Sequence, residues 1–297
     1  MDYRSEAPAV LRDFLSYHET IKGHSRATVD EYFLDLRNFF RYLKIERGLV
    51  PRSTELDEIS IKDIDLDFIA SVTLNDVYDY MAFLSRDKVK NERSREPEYG
   101  LLASSRARKI ATIRSFYKYL TIKTKQLDVN PVEGLDTPKT TKTLPRYLTL
   151  EESRRLLDAV DGVNRERDYC IICLFLNCGL RISEIVGLNV GDVREDSLRV
   201  LGKGSKERIV YLNEACQAAV EAYKPVRAQM VGSTEKAFFV SNRRQRMGRE
   251  SVHAMVKKTI LKAGLDPSKY SYPMQWIALT VMIATVFIYV VKRFQHN

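Results

Sequence analysis

Residues 177–188 read Asn-Cys-Gly-Leu-Arg-Ile-Ser-Glu-Ile-Val-Gly-Leu, and this stretch decides the fold. It follows an apolar run, Tyr-Cys-Ile-Ile-Cys-Leu-Phe-Leu at 169–176, which predicts a buried helix that ends at Gly179. A second helix is expected to begin beside Arg181, with Glu184 in its first turn. The stretch therefore predicts two helices joined by a tight turn, with a charged pair at that turn.

The composition of the chain bounds its class. With 297 residues, 44% of them hydrophobic, it is long enough for two packed domains. Lys and Arg number 48 against 39 Asp and Glu, and the resulting net charge of +9 favours a polyanionic partner, nucleic acid or an acidic membrane surface. A disordered or collagenous chain is excluded. The first ten residues lack the apolar segment of a signal peptide, so we expect a cytoplasmic protein.

The cysteines predict neither disulfides nor a metal site. Four cysteines are too sparse for a disulfide scaffold in a chain of this length, and we expect them to be reduced. Cys170 and Cys173 form a C-x-x-C, but the surrounding residues are apolar and offer no partner ligands for zinc. We interpret them as small buried core residues.

Helical patterns and chain breakers divide the sequence into segments. Residues 1–125 are predicted to form an all-helical domain, in which one helix carries an apolar stripe of Tyr32, Leu36, Phe39, Phe40 and Leu43. Residues 126–147 contain repeated Pro and Gly and are predicted to be an exposed linker. A capping box, Thr149 to Glu152, restarts helix after it. Apolar runs at 197–201 and 208–212, separated by Gly-Lys-Gly-Ser, predict a β-hairpin.

Two basic stretches predict phosphate contacts. Residues 101–127 hold seven bases and no acid, and residues 236–262 hold eight bases and one acid. The first is expected to be an amphipathic helix with Ser104 or Ser105 as its N-cap. The alternative interpretation is that both stretches are solvated charged faces. If they bind DNA, the expected contact residues are Arg106, Lys109, Arg114 and Lys118 in the first stretch, and Arg243, Arg244 and Arg246 in the second.

The motifs resemble those of a known family. The segment 179–188 resembles the first catalytic box of the tyrosine recombinases, the phage-integrase and Xer group, and Gly-Lys-Gly-Ser-Lys-Glu-Arg at 202–208 resembles their β-hairpin. The resemblance runs from about residue 11 to residue 271. It implies a mainly α fold with an N-terminal helical, SAM-like core-binding domain and an α-rich catalytic domain, 148–271, that has a small antiparallel β-sheet and is incomplete at its C-terminus.

The resemblance also implies a chemistry and partners. In the family a tyrosine attacks a DNA phosphodiester, so fixed cations must meet the charge that grows on the phosphoryl oxygens. Arg181 would be the first of two such arginines, Lys203 the general acid for the leaving oxygen, and Glu184 a supporting residue. An ordinary salt bridge of Arg181 with Glu184 and a solvated turn lysine are the alternatives. The implied partners are double-stranded DNA and other recombinase protomers, four on paired sites, with no metal or nucleotide cofactor.

Part of the family's catalytic set is missing from the sequence. The family's second box is an H-x-x-R, and none occurs here; the histidines are His18, His24, His253 and His296. The second arginine, the following histidine and the tyrosine nucleophile have no candidate, because Tyr289 lies too close to the lost box and within an apolar run. We therefore expect a site-specific recombinase homologue that binds DNA and is catalytically inactive.

The C-terminal residues 272–297 share nothing with the family. Positions 270–291 hold 22 uncharged residues, and a helix of this length, at about 1.5 Å per residue, just spans a hydrocarbon core of about 30 Å. One interpretation is a membrane anchor that tethers a DNA-binding protein. The other, which we favour, is an out-of-frame or recombined ending, because the change begins abruptly within a motif.

Overall fold

The computed structural model describes residues 3–89, 98–139, 148–202, 204 and 206–267. The chain divides into two compact units, Met1–Lys142 and Thr143–Asn297. Within the described residues no helix is both long and apolar enough to cross a membrane. The predictions for Lys203, for the tail and for the anchor at 270–291 fall outside the described residues.

The first unit is helical, as expected. Its α-helices are α1 Tyr3–Glu6, α2 Ala9–Ser16, α3 Arg26–Glu46, α4 Leu66–Ala70, α5 Leu74–Arg86 and α6 Ala103–Lys118, with a 3₁₀ turn at Leu56–Glu58. The apolar stripe of α3 faces the core: Leu36, Phe39 and Phe40 are fully buried. The Ser25 side chain caps this helix by accepting a hydrogen bond from the Thr28 backbone N–H. Helix α6 begins at Ala103 after Leu102, so the predicted Ser104 or Ser105 cap is wrong.

Two helices of this unit end in π-helical turns. Tyr17–Ile21 continues α2, and Tyr119–Lys123 continues α6. The rings of Tyr17 and Tyr119 lie 5.1 Å apart, so the two wide turns pack against each other. Such turns are rare and widen the helix locally, which changes the direction of the side chains that follow.

A buried carboxylate joins α3 to α6. Asp35 is 1% exposed and accepts hydrogen bonds from Arg108 at 2.6 Å, Lys109 at 2.7 Å and Thr112 at 2.9 Å. Lys109, predicted to contact phosphate, is therefore a buried partner of Asp35 instead. Its position follows from the helical period, since it precedes Ile110 and lies at the edge of the buried face.

The described part of the expected linker, 126–139, packs on the helical unit. Leu127, Val132 and Leu135 are buried in the same apolar cluster as α3 and α6. Residues 140–147 lie outside the described residues.

The second unit is mainly helical with one hairpin, which confirms the expected fold class. Its elements are α7 Leu150–Asp158, α8 Arg165–Cys178, α9 Ile182–Gly187, β1 Ser197–Leu201, β2 Glu207–Tyr211, α10 Glu214–Met230 and α11 Arg249–Lys262, with a 3₁₀ turn at Val190–Asp192. The capping box of Thr149 and Glu152 starts α7. Strands β1 and β2 pair antiparallel, with Ser197 opposite Tyr211 and Leu201 opposite Glu207.

The core of the second unit lies between α8 and α10, and the cysteines belong to it. All four thiols are free, and Cys170, Cys173 and Cys216 are buried. The sulfur of Cys216 lies 3.7 Å from that of Cys173 and 3.9 Å from that of Cys178. Cys170 and Cys173, interpreted from the sequence as small core residues, are both buried in this cluster.

Candidate functional site

The turn between α8 and α9 holds the charged pair predicted from the sequence. Gly179 ends α8 with φ of 61°, in the left-handed region that favours glycine. Arg181 is the N-cap of α9, and its backbone N–H donates to Glu184 Oε2 at 2.8 Å. The Arg181 guanidinium donates to Oε1 of the same carboxylate at 2.9 Å. One side chain thus fixes both the backbone and the head group of Arg181.

A second arginine, which sequence reasoning missed, shares this carboxylate. Arg208 on β2 donates from Nη1 to Glu184 Oε1 at 2.7 Å and from Nη2 to Oε2 at 2.9 Å. The Glu184 side chain is 2% exposed, whereas Arg181 and Arg208 are 48% and 40% exposed. Burial acts to raise the pKa of Glu184, but hydrogen bonds from Arg208 and Arg181 outweigh it and hold the pKa below its ordinary value. Glu184 is therefore an ionised anchor for two guanidiniums.

Gly202 brings the hairpin close to this anchor. A Cβ at Gly202 would lie 3.3 Å from the Lys206 carbonyl, 3.4 Å from Arg208 Nη1 and 3.7 Å from Glu184 Oε1, so this position borders the anchor directly. Gly202 directly precedes Lys203 in the chain. The sequence placed Glu184 in the 179–188 motif and Arg208 at the end of the 202–208 motif, but nothing in it showed that Arg208 would reach Glu184.

The basic residues of α6 divide between structural and exposed positions. Lys118 is exposed, Arg114 donates to Thr137 Oγ1 at 2.8 Å, and Arg106 donates to the Leu101 carbonyl at 3.3 Å. Together with the burial of Lys109, this leaves Lys118 as the predicted contact residue of α6 with the most exposed side chain.

The loop before α11 carries the second predicted group. Arg243 and Arg244 are exposed, and Arg244 takes φ of 60°. Arg246 instead donates to the carbonyls of Val186 at 2.6 Å and Leu188 at 3.1 Å, so it fastens the loop to the end of α9. A cavity of about 480 Å³ lies beside this loop and is lined by Arg167, Ser241, Asn242, Arg243, Gln245, Arg246, Met247, Gly248, Ser251 and Met255.

Within the described residues, no group of three or more His, Cys, Asp or Glu side chains comes together to hold a metal ion. The Glu184 anchor itself holds the guanidinium charges of Arg181 and Arg208, which suit phosphoryl oxygens because the planar head group can hold two of them at once.

Comparisons with known proteins agree with this architecture. The phage integrase family model matches residues 146–274. The tyrosine recombinase XerC of Caldanaerobacter subterraneus subsp. tengcongensis is 46% identical over 276 residues, which cover 93% of this chain and 75% of that protein. XerC of Myxococcus xanthus is 34% identical over 265 residues, covering 86% of this chain and 78% of that protein.

Two solved structures share the fold. XerH site-specific recombinase bound to difH substrate matches with a TM-score of 0.60 at 15% identity, covering 93% of this chain and 75% of that one. A lambda integrase dimer bound to a COC′ core site matches with a TM-score of 0.56 at 16% identity, covering 86% and 82%. The helical unit and the hairpin-bearing unit thus define an integrase-type protein. The chain belongs to the tyrosine recombinase family and is Xer-like.

Proposed function

We propose that this chain is a DNA-binding recombinase homologue that engages a DNA phosphate through Arg181 and does not complete strand cleavage. The observation that carries the proposal is the Glu184 anchor, which holds a half-exposed guanidinium in a fixed position. Further exposed bases are Lys118 in the helical unit, and Arg243 and Arg244 in the hairpin-bearing unit. Duplex DNA is the polyanion that we expect a member of this family to bind.

Arg181 has the properties of a phosphate-binding group. Its Nη1 donates to Glu184, and its side chain is 48% exposed, so the residue is both anchored and open to solvent. Because the backbone cap and the carboxylate fix it beforehand, little side-chain freedom is lost when an anion binds. Glu184 is a positioning residue in this proposal, and Lys203 is the proposed general acid by its place in the family motif.

Catalytic inactivity rests on the sequence. Losing one preorganised transition-state donor typically costs about 10²–10³ in rate, and here the H-x-x-R arginine and the tyrosine nucleophile both lack a candidate. A nicked suicide substrate, which traps the phosphotyrosyl intermediate in active enzymes, should give no adduct on a denaturing gel. An adduct that survives denaturation and maps to any tyrosine of this chain would refute inactivity while leaving DNA binding intact.

DNA binding is tested through its salt dependence. Each neutralised phosphate contributes a slope of about −0.9 to a plot of log affinity against log salt. Arg244→Ala and Arg243→Ala should each make the slope shallower by about 1. Lys62→Ala is the matched control, because Lys62 is an exposed base within the acidic stretch 55–79. Affinity that stays flat between low and physiological salt would contradict the phosphate contacts.

The proposal includes assembly with other protomers on DNA. Solved lambda integrase structures contain a dimer on a core site and a tetramer on a Holliday junction, and this chain shares their fold. Sedimentation of the complex with a two-site duplex should show more than one protomer for each DNA molecule. A saturated complex with a single protomer would oppose assembly.

A further inference from the structure

The helical unit contains a pair of histidines that the recombinase function does not use. His18 lies in the π-helical turn after α2 and is 7% exposed, whereas His24 lies just before α3 and is half-buried. Their Nδ1 atoms are 3.2 Å apart. Two imidazole nitrogens at this distance either share one proton or converge on a common ligand.

The ring geometry favours convergence. Two imidazoles bound tetrahedrally to a divalent ion at about 2.0–2.1 Å place their ligating nitrogens about 3.3 Å apart. The ring centroids of His18 and His24 are 4.9 Å apart. An end-to-end N–H···N hydrogen bond with the observed nitrogen separation would hold the centroids about 5.5 Å apart. The rings are therefore tilted against each other, with an interplanar angle of 35°, and do not lie end to end, which fits two nitrogens that share one ligand.

The backbone holds this arrangement in place. The His24 N–H donates to the His18 carbonyl at 3.0 Å, which closes the turn between the two residues. Gly23 has φ of 63° and makes the closure possible without strain. The turn therefore fixes the two rings relative to each other before any ligand arrives.

Neighbouring side chains orient the rings. Tyr32 lies edge-on to His18, with centroids 5.0 Å apart and an interplanar angle of 90°, and Phe14 packs against the other side of His18 at 4.5 Å. His18 Nε2 lies 3.4 Å from Ser115 Oγ. A hydrogen bond from Nε2–H to that hydroxyl leaves the Nδ1 lone pair of His18 available, which is the arrangement seen for metal-bound histidines.

We propose that His18 and His24 bind a divalent transition-metal ion through their Nδ1 atoms. Imidazole nitrogen is a preferred ligand of Zn²⁺, Ni²⁺ and Cu²⁺, with Cu²⁺ bound most tightly at a given site. Among the described residues no third His, Cys, Asp or Glu side chain joins the pair, so the proposal assigns the remaining coordination positions to water. The site is thus an open, exchangeable one, and the ion ties the end of the α2 turn to the start of α3.

The test is a Cu²⁺ titration of the full chain, followed by electron paramagnetic resonance and calorimetry. The wild-type chain should bind one equivalent with a signal split by two nitrogens, and His24→Gln should weaken binding at least tenfold. His18→Gln should weaken binding to the same extent. His18 is buried, however, so its replacement can also disturb folding, and His24→Gln is therefore the deciding variant. The control combines His253→Gln with His296→Gln, which removes the other histidines of the chain and should leave binding unchanged.

Zn²⁺ supplies a second readout that does not depend on copper. It should raise the unfolding temperature of the wild-type chain and of the double control, but not that of His24→Gln. Two results would overturn the proposal: no binding by the wild-type chain at micromolar metal, which leaves a hydrogen-bonded pair only, or equal affinity of His24→Gln and the wild-type chain. DNA binding does not enter either measurement, so the test is independent of the recombinase proposal.

Discussion

Replacing Glu184 with Gln should destabilise the hairpin-bearing unit. Four hydrogen bonds reach the carboxylate: the Arg181 backbone N–H at 2.8 Å, the Arg181 guanidinium at 2.9 Å, and two from Arg208 at 2.7 and 2.9 Å. Glutamine keeps one oxygen but turns an NH₂ group toward a guanidinium, which repels it.

The size of the stability loss depends on how much hydration each group recovers when its hydrogen bond to Glu184 is broken. Hydrogen bonds to a charged group contribute about 1.5–3 kcal/mol each. Their sum overstates the loss, because both guanidiniums are already exposed enough to recover water and because burying the carboxylate itself costs several kcal/mol. We expect a net loss of about 2–3 kcal/mol. For a unit of this size, that lowers the unfolding temperature by about 4–12 °C.

Differential scanning calorimetry on the full chain provides the measurement. The matched control is Glu207→Gln, because Glu207 is 58% exposed and its contact with Arg199 is 3.7 Å long. Such a surface pair contributes little, so the control should change stability by less than about 0.5 kcal/mol. If Glu184→Gln and Glu207→Gln unfold within about 1 °C of each other, Glu184 is not the anchor described above.

Three other outcomes are expected. Asp35→Asn should lower the free energy of unfolding of the helical unit by about 3–5 kcal/mol, measured in urea, because Arg108 and Lys109 lose a buried carboxylate partner. The control is Glu31→Gln, which should lower it by less than about 0.5 kcal/mol, because the Glu31 side chain that pairs with Arg108 is 56% exposed. Because the pKa of Glu184 is lowered in the folded chain, its contribution to the free energy of unfolding is full above about pH 4.3, the pKa of an unfolded glutamate, and is lost as the pH falls through the folded pKa. The difference in unfolding free energy between the wild-type chain and Glu184→Gln should therefore shrink to zero in acid, which urea unfolding at a series of pH values measures. Gly179→Ala should cost about 1–2 kcal/mol because of its positive φ, while Gly187→Ala, in a helix with open space around it, should be neutral or stabilising by up to about 1 kcal/mol; thermal melts with equal losses would contradict this.

Local signals in the sequence predicted most of the elements. The Thr149–Glu152 box starts α7, and Gly179 ends α8, because both depend on residues within one turn of the helix. The stripe of α3 is buried because a period of 3.6 residues reports which face meets the core.

Contacts between distant residues were not predictable. Lys109 belongs to a basic run, yet its partner Asp35 lies 74 positions away, and only the packing of α3 on α6 brings them together. Arg208 reaches Glu184 across 24 positions for the same reason. Arg246 was expected to contact phosphate; its Nη1 donates to two backbone carbonyls at the end of α9 and its Nη2 to Asn189 Oδ1, contacts that no side-chain pattern reveals.

The Asp35 cluster also limits how α3 and α6 can pack. Sliding one helix along the other by a single turn would move the donors about 5.4 Å from the carboxylate and leave an ionised group buried among apolar side chains. Apolar contacts alone discriminate less strongly against such a shift, because the hydrophobic effect has no direction and side chains of similar size can take each other's place. A charge with three fitted donors does not, so Asp35 selects one alignment of the two helices and excludes its near neighbours during folding.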